Sequence, residues 1–163
     1  MSGYTFLGEV NMKLEKEIKQ SKFRNEYHKL TVNLLFTYSW IHSFLAEKLS
    51  KYGITPQQFN ILRILRGQYP APSTVSLLKE RMLEKISDTS RLVERLRLKG
   101  LLERTYNEND RRKVNIVINK KGLELLKEID KIDPEVDHYL ASLSSEEAKT
   151  VNDLLDKLRN NKK

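Results

Sequence analysis

The stretch from Ile86 to Gly122, ISDTSRLVERLRLKGLLERTYNENDRRKVNIVINKKG, constrains the fold most, because its hydrophobic period changes twice within one short run. From Ser87 to Lys99, Leu92, Val93 and Leu96 join Ile86 at helical spacing, which leaves Ser87, Asp88, Arg91 and Arg95 on the opposite side. Gly100 supplies a turn. Leu101 to Thr105 and Lys113 to Asn119 then read as strands, the second with Val114, Ile116 and Ile118 alternating with Lys113, Asn115, Val117 and Asn119. Asn119 next caps a helix carrying Leu123, Leu125, Leu126 and Ile129. The expected class is therefore mainly α with a small β-hairpin.

The residues upstream extend this pattern. Gly53 ends a long helix, Thr55 is the N-cap of the next, Pro56 takes its first position, and Phe59, Leu62 and Leu65 form its inward face. Gly67 to Pro72, GQYPAP, is a connector, after which Ser73 caps a short helix through Leu77 and Leu78 to Met82. The turn Leu83-Glu84-Lys85, which lacks the customary glycine, leads to the helix at Ser87. A short helix, a tight turn and a polar-faced helix make a helix-turn-helix. With a hairpin directly behind it, the motif is a winged helix-turn-helix.

Its chemistry points to a polyanion. An outward face that begins with small hydroxyls and an acid and continues with arginines enters a DNA groove without obstruction and can hydrogen-bond to base edges. The candidates are Ser87, Asp88, Thr89, Arg91 and Arg95, with Arg91 the choice for a guanine. The tip Asn107 to Arg112 carries two long, permanently charged forks, Arg111 and Arg112, suited to phosphate or to a narrow minor groove, and Asp110 can hold one of them by a bidentate pair. Ser73 and Thr74 are candidates to present backbone N–H groups to phosphate. An ordinary solvated helix also carries Arg and Glu, so the helix by itself leaves both readings open. The charge is well placed for the first: Lys79 to Lys113 holds eleven Lys and Arg against seven Asp and Glu, within a chain of net charge +8. A membrane surface or simple solubility would account for the same overall balance.

The two ends carry a different signal. Met1 to Val10 reads as a loose arm, and Asn11 to about Lys51 contains neither Pro nor Gly. In its second half Leu34, Tyr38, Ile41 and Leu45 share one helical face while Phe36, Trp40 and Phe44 repeat on another, so the helix needs cover on both sides. Phe36, Tyr38, Trp40 and His42 are either such packing residues or the walls of a pocket for a small effector. Asp133-Pro134-Glu135 predicts a break or kink, and Ser144-Ser145-Glu146-Glu147 a capping box. Behind that box Val151, Leu154, Leu155 and Leu158 form one apolar stripe, expected to meet a second subunit. The chain has no cysteine, so disulfides and thiolate metal sites are excluded, and His28 and His42 lack partners at metal-ligand spacing. No nucleophile, metal or phosphate-loop constellation is present, so neither an enzyme nor a cofactor is expected. Nor is there a signal peptide or a stretch long enough to span a bilayer, and a cytoplasmic protein without a membrane partner is the expectation.

The runs GITPQQFNIL (Gly53 to Leu62), SDTSRLVERLRLKGLLER (Ser87 to Arg104) and NDRRKVNIVINKKG (Asn109 to Gly122) resemble the MarR-type winged-helix transcriptional regulators, over nearly the whole chain from about Phe23. The most specific part is Asp110-Arg111-Arg112, followed by Asn119-Lys120-Lys121-Gly122, where the family usually has Thr or Ser ahead of its Lys-Gly. The resemblance implies an N-terminal arm and dimerisation helix (1–52), a DNA-binding lobe (53–119) and C-terminal connector and dimerisation helices (120–163) in one structural domain. It further implies a homodimer that binds a pseudo-palindromic operator in double-stranded DNA, acts as a repressor, and responds to a small lipophilic or phenolic ligand held between the lobes. The competing reading is a winged helix that binds protein and has no specific DNA site.

Overall fold

The computed structural model describes residues 13–85, 88–107 and 110–160, with the side chains of 107–113 outside that description. The arm at Met1 to Val10 falls outside it. The described chain is helical apart from one two-stranded antiparallel hairpin, as expected for a winged helix-turn-helix. Its contacts divide it into a first unit ending at Glu47 and a second beginning at Lys48.

The first unit holds α1 (Leu14–Glu17) and most of α2 (Glu26–Ser50). The run without Pro or Gly is thus not one helix. Asn25 accepts the His28 N–H at 2.9 Å and starts α2 afresh, while Lys29 reaches back to Glu15 at 2.6 Å. That ion pair holds the Glu15 carboxyl below the usual Glu range, chiefly through its hydrogen bond from Lys29.

In the second unit α3 (Pro56–Gln68), α4 (Val75–Arg81), α5 (Thr89–Leu98), strands β1 (Leu102–Asn107) and β2 (Asp110–Ile118), and α6 (Lys120–Ile129) surround one core. Leu49, Ile61, Leu62, Leu78, Val93, Leu96, Ile116, Ile118, Leu126 and Ile129 are each at most 1% exposed. Each such side chain is worth roughly 1.5–3 kcal/mol relative to solvent exposure. A 3-10 turn (Asp130–Ile132), α7 (Asp133–Leu140) and α8 (Ser145–Arg159) complete the chain.

The helix ends follow the local chemistry. Thr55 and Gln58 form a reciprocal capping box with Pro56 in the first turn, Asn119 accepts the Gly122 N–H at 3.0 Å, and Ser144 and Glu147 form a second capping box. α5 ends at Gly100 with φ +68°, and the Leu101 and Gly100 N–H groups close back on Leu96 O and Arg97 O at 3.1 and 2.8 Å. This left-handed closure satisfies two end carbonyls and needs a residue without a Cβ penalty.

Several boundaries differ from expectation. α3 continues through Gly67 to Gln68, so the connector is shorter. Thr74, not Ser73, caps α4 by accepting the Leu77 N–H; Ser73 is instead paired with Ile116 beside β2, its N–H donating at 2.8 Å. β1 runs on past Thr105 to Asn107 and β2 starts at Asp110, because cross-strand pairing carries polar residues that lack an alternating pattern of their own. The break near Pro134 comes one turn earlier, as the 3-10 turn, and Pro134 lies in the first turn of α7 where its missing N–H costs nothing. Bidentate pairing of Arg66 with Asp130 (2.6 and 3.2 Å) ties that turn to α3, and Lys48 pairs with Glu135 on α7.

Candidate nucleic-acid interface

α5 is seated by Thr89, Val93 and Leu96, all buried, with Leu92 half-buried beside them. This seat leaves Arg91 and Arg95 exposed on the other face. Arg91 is 71% exposed, and its Nε lies 3.0 Å from Asp88 Oδ2, a contact one helical turn back that fixes the stem and orients the guanidinium. Asp88, Arg91, Leu92 and Arg95 line a shallow groove of about 260 Å³ with Gln57 of α3. Gln57 Nε2 in turn donates to Glu84 Oε2 at 3.1 Å, joining the start of α3 to the turn ahead of α5.

Two candidates are displaced from the surface. Thr89 is fully buried, its hydroxyl 3.7 Å from Met82 Sδ, and so presents no side chain to a ligand. Its spacing of four and seven residues from Val93 and Leu96 places it on the seat. Ser73 is 1% exposed and its N–H is committed to Ile116, so it offers no phosphate contact; Thr74 remains half-exposed with its hydroxyl on Leu77 N–H. Ser87 lies outside the described residues.

The hairpin stands directly behind α5. Leu102 pairs with Ile118, Arg104 with Ile116 and Tyr106 with Val114, and an irregularity between Tyr106 and Asn107 precedes the pairing of Asn107 with Asp110. Asp110, Arg111 and Arg112 have their backbone in β2 rather than in a loop. The side-chain pairing expected of Asp110 lies outside the described residues.

A cluster that the sequence reading missed joins α5 to β1. Glu94 accepts from Arg97 Nε on both oxygens at 3.0 and 3.1 Å, from Arg97 Nη2 at 2.7 Å, and from Arg104 Nη1 at 3.2 Å. The hydrogen bond from Arg97, ahead of that from Arg104, holds the Glu94 carboxyl below the usual range. The three-residue spacing of Glu94 and Arg97 was a visible signal; the approach of Arg104 across ten residues was not. Two lysines also brace helix ends: Lys99 Nζ donates to Gly53 O at 2.6 Å and Lys121 Nζ to Lys99 O at 3.1 Å. Lys121 thereby meets the negative end of the α5 dipole.

The expected effector residues sit on α2 in two pairs. Phe36 and Trp40 lie four residues apart on one face, and Tyr38 and His42 lie four apart on the other, with ring centroids at 5.6 Å. One helix thus does not bring all four to a single wall. Val151, Leu154 and Leu158 on α8 are 41, 59 and 48% exposed, and Leu155 is half-buried. Among the described residues no three His, Asp or Glu are grouped to hold a metal, and no helix is long and apolar enough to cross a membrane.

Comparison with known proteins agrees with this geometry. The MarR family model matches residues 54–114, from just ahead of α3 to the middle of β2. The HTH-type transcriptional regulator PecS of Dickeya dadantii is 35% identical over 65% of this chain, and the match spans 64% of PecS, just under two thirds of its length. A cysteine-to-serine variant of E. coli MarR, solved in complex with operator DNA, superposes with a TM-score of 0.75 at 26% identity over 85% of this chain and 99% of that one. The organohalide-sensing RdhR-CbdbA1625 transcriptional regulator, in its 2,4-dichlorophenol-bound form, shares the fold with a TM-score of 0.77 at 24% identity over 93% of this chain and 88% of that one. The exposed arginine face of α5, its hairpin and these matches lead to one conclusion: residues 54–114 match the MarR family, and the chain has the winged helix-turn-helix fold of the transcriptional regulators to which it is similar.

Proposed function

We propose that the protein is a homodimeric repressor that reads a pseudo-palindromic operator. The observation that carries this is the division of α5 into a buried seat and a face presenting Arg91 and Arg95. Two copies place these faces in successive major grooves, one helical turn apart. Asp88 engages Arg91 through Nε, which suits the outer Nη edge to the O6 and N7 of guanine. Arg111 and Arg112 supply affinity for the DNA backbone or the minor groove, with Asp110 beside them in β2. Val151, Leu154, Leu155 and Leu158 are the dimer contacts contributed by α8. The apolar exposure of that stripe supports the assignment. The protein works where the chromosome is, in the cytoplasm.

A small phenolic ligand relieves repression by favouring a lobe arrangement whose recognition helices miss the groove spacing. The 2,4-dichlorophenol bound to RdhR-CbdbA1625 motivates this choice. With Phe36 and Trp40 on one face of α2 and Tyr38 and His42 on the other, the ligand uses one pair, not all four. Adding 2,4-dichlorophenol and finding neither weaker operator binding nor a shifted melting temperature would remove the effector from the proposal.

Arg91→Ala tests the central reading. Binding to a short duplex from the region upstream of its own gene, located by footprinting, should lose about 1–3 kcal/mol of discrimination over a shuffled duplex. Equal weakening on both duplexes would make Arg91 a phosphate contact. Weak, sequence-blind binding by the wild type would favour a protein-interaction module.

A further inference from the structure

Positive charge on α5 and the hairpin is not uniformly available. One carboxylate, Glu94, receives a guanidinium from each element: Arg97 by a fork engaging both oxygens, and Arg104 of β1 through Nη1. The three side chains line a groove of about 350 Å³ with Thr105, Tyr106 and Val114. Arg97 is 45% exposed and Arg104 34%, against 71% for Arg91, so the tethered pair is drawn in from the surface that Arg91 occupies.

Sequence-independent affinity for DNA grows with each phosphate neutralised, whereas discrimination comes from base contacts. A protein sliding on random DNA is free to shift until every loose cation finds a phosphate. At its operator the base contacts fix the register, and a loose cation adds less. Extra free arginines next to a recognition helix therefore erode the ratio of specific to random binding, the quantity that matters against a genome of competing sites.

We propose that Glu94 is a specificity-determining residue that acts by restraint, holding Arg97 and Arg104 in the groove between α5 and β1 and withholding them from random phosphate contact. The proposal rests on the reading of α5 as the DNA-facing helix. It concerns a residue that touches no base. Glu94 is a positioning residue for two cations.

The test is a salt titration of binding to the operator duplex and to a shuffled duplex, with folding checked by thermal melting. Glu94→Gln should steepen the dependence of log K on log salt for the shuffled duplex by about 0.9 per arginine released, about 1.8 for both. The ratio of operator to shuffled affinity should fall several-fold. Adding Arg97→Gln and Arg104→Gln to Glu94→Gln should return the slope to the wild-type value. An unchanged slope in Glu94→Gln overturns the proposal, and so does a steepening that persists in the triple variant, since Glu94 would then act through its own charge. Should Glu94→Gln fail to fold, the single variants Arg97→Gln and Arg104→Gln decide: each should flatten the wild-type slope by much less than 0.9, and a full 0.9 overturns the restraint. Failure of the wild type to distinguish the two duplexes appears before any variant is made, and overturns the operator reading together with this one.

Discussion

The seat of α5 and the outer stripe of α8 are both rows of Val and Leu at helical spacing, yet they meet opposite fates. Val93 and Leu96 are at most 1% exposed, whereas Leu154 and Leu158 remain 59 and 48% exposed. α5 is held in place by packing within one chain, against α3, α4 and β1. The stripe on α8 leaves its apolar surface exposed on this chain, which is what supports its proposed role in a dimer. The placement of α5 is therefore settled within one chain, whereas an exposed apolar row such as that of α8 is free to meet a partner surface.

The contrast can be broken at the seat first. Leu96→Ala should cost about 2–5 kcal/mol of folding free energy, read from urea denaturation at fixed protein concentration, because a fully buried Leu leaves a cavity. A loss below about 1 kcal/mol would mean that α5 is not anchored through its buried face.

Next in size is Gly122→Ala. A Cβ at this position would stand 2.2 Å from the backbone oxygen of Leu101 and 2.7 Å from Cγ1 of the buried Ile118 side chain, so backbone and core would both have to shift. Overpacking of this kind costs about 1–3 kcal/mol, and it should also shift the start of α6 against the end of β2. Unaltered stability in this variant would contradict the close approach of helix and hairpin.

On the open side, Leu154→Asp with Leu158→Asp should change the intrinsic stability of the fold by only about 0.5 kcal/mol for each exposed position. The same pair should halve the sedimenting mass and abolish any concentration dependence of the melting temperature. An unchanged mass would assign the stripe to some other partner.

The smallest effect is on acid stability. Glu147 is held below the ordinary Glu range mainly by the backbone hydrogen bond from Ser144, and Glu135 by Lys48. With the folded pKa depressed, the unfolded chain binds more protons in acid, so stability is complete above the unfolded Glu value and lost as pH falls through the folded one. Melting temperatures followed from about pH 6 to about pH 3 should fall slightly less steeply in Glu147→Gln. Identical slopes would show that the cap contributes nothing to the linkage.

Much of this fold could be read without coordinates. Thr55-Pro56-Gln58, Asn119 and Ser144-Glu147 declare helix starts because a cap needs only residues three positions apart. The shift from helical to alternating period marked the hairpin, and the resemblance around Asp110-Arg111-Arg112 pointed to the family whose model matches residues 54–114. Less legible were Ser73, whose pairing partner Ile116 is remote in the chain, and the strand residues beyond Thr105, which lack alternation. Thr89 is different. Its inward position follows from the same spacing that places Val93, although its small polar side chain is of the kind expected on the outward face.

Residues close in the chain are enough to set the caps, the glycine stop at Gly100, the two sides of α5 and the hairpin behind it. Which polar groups the fold consumes is settled by tertiary packing. Ser73 and Thr89 are taken into the interior, and Arg97 and Arg104 are drawn onto one carboxylate between α5 and β1. The physical reason is range. Caps and periods depend on contacts within four residues, whereas the surroundings of a polar side chain depend on which distant strand or helix the core brings against it.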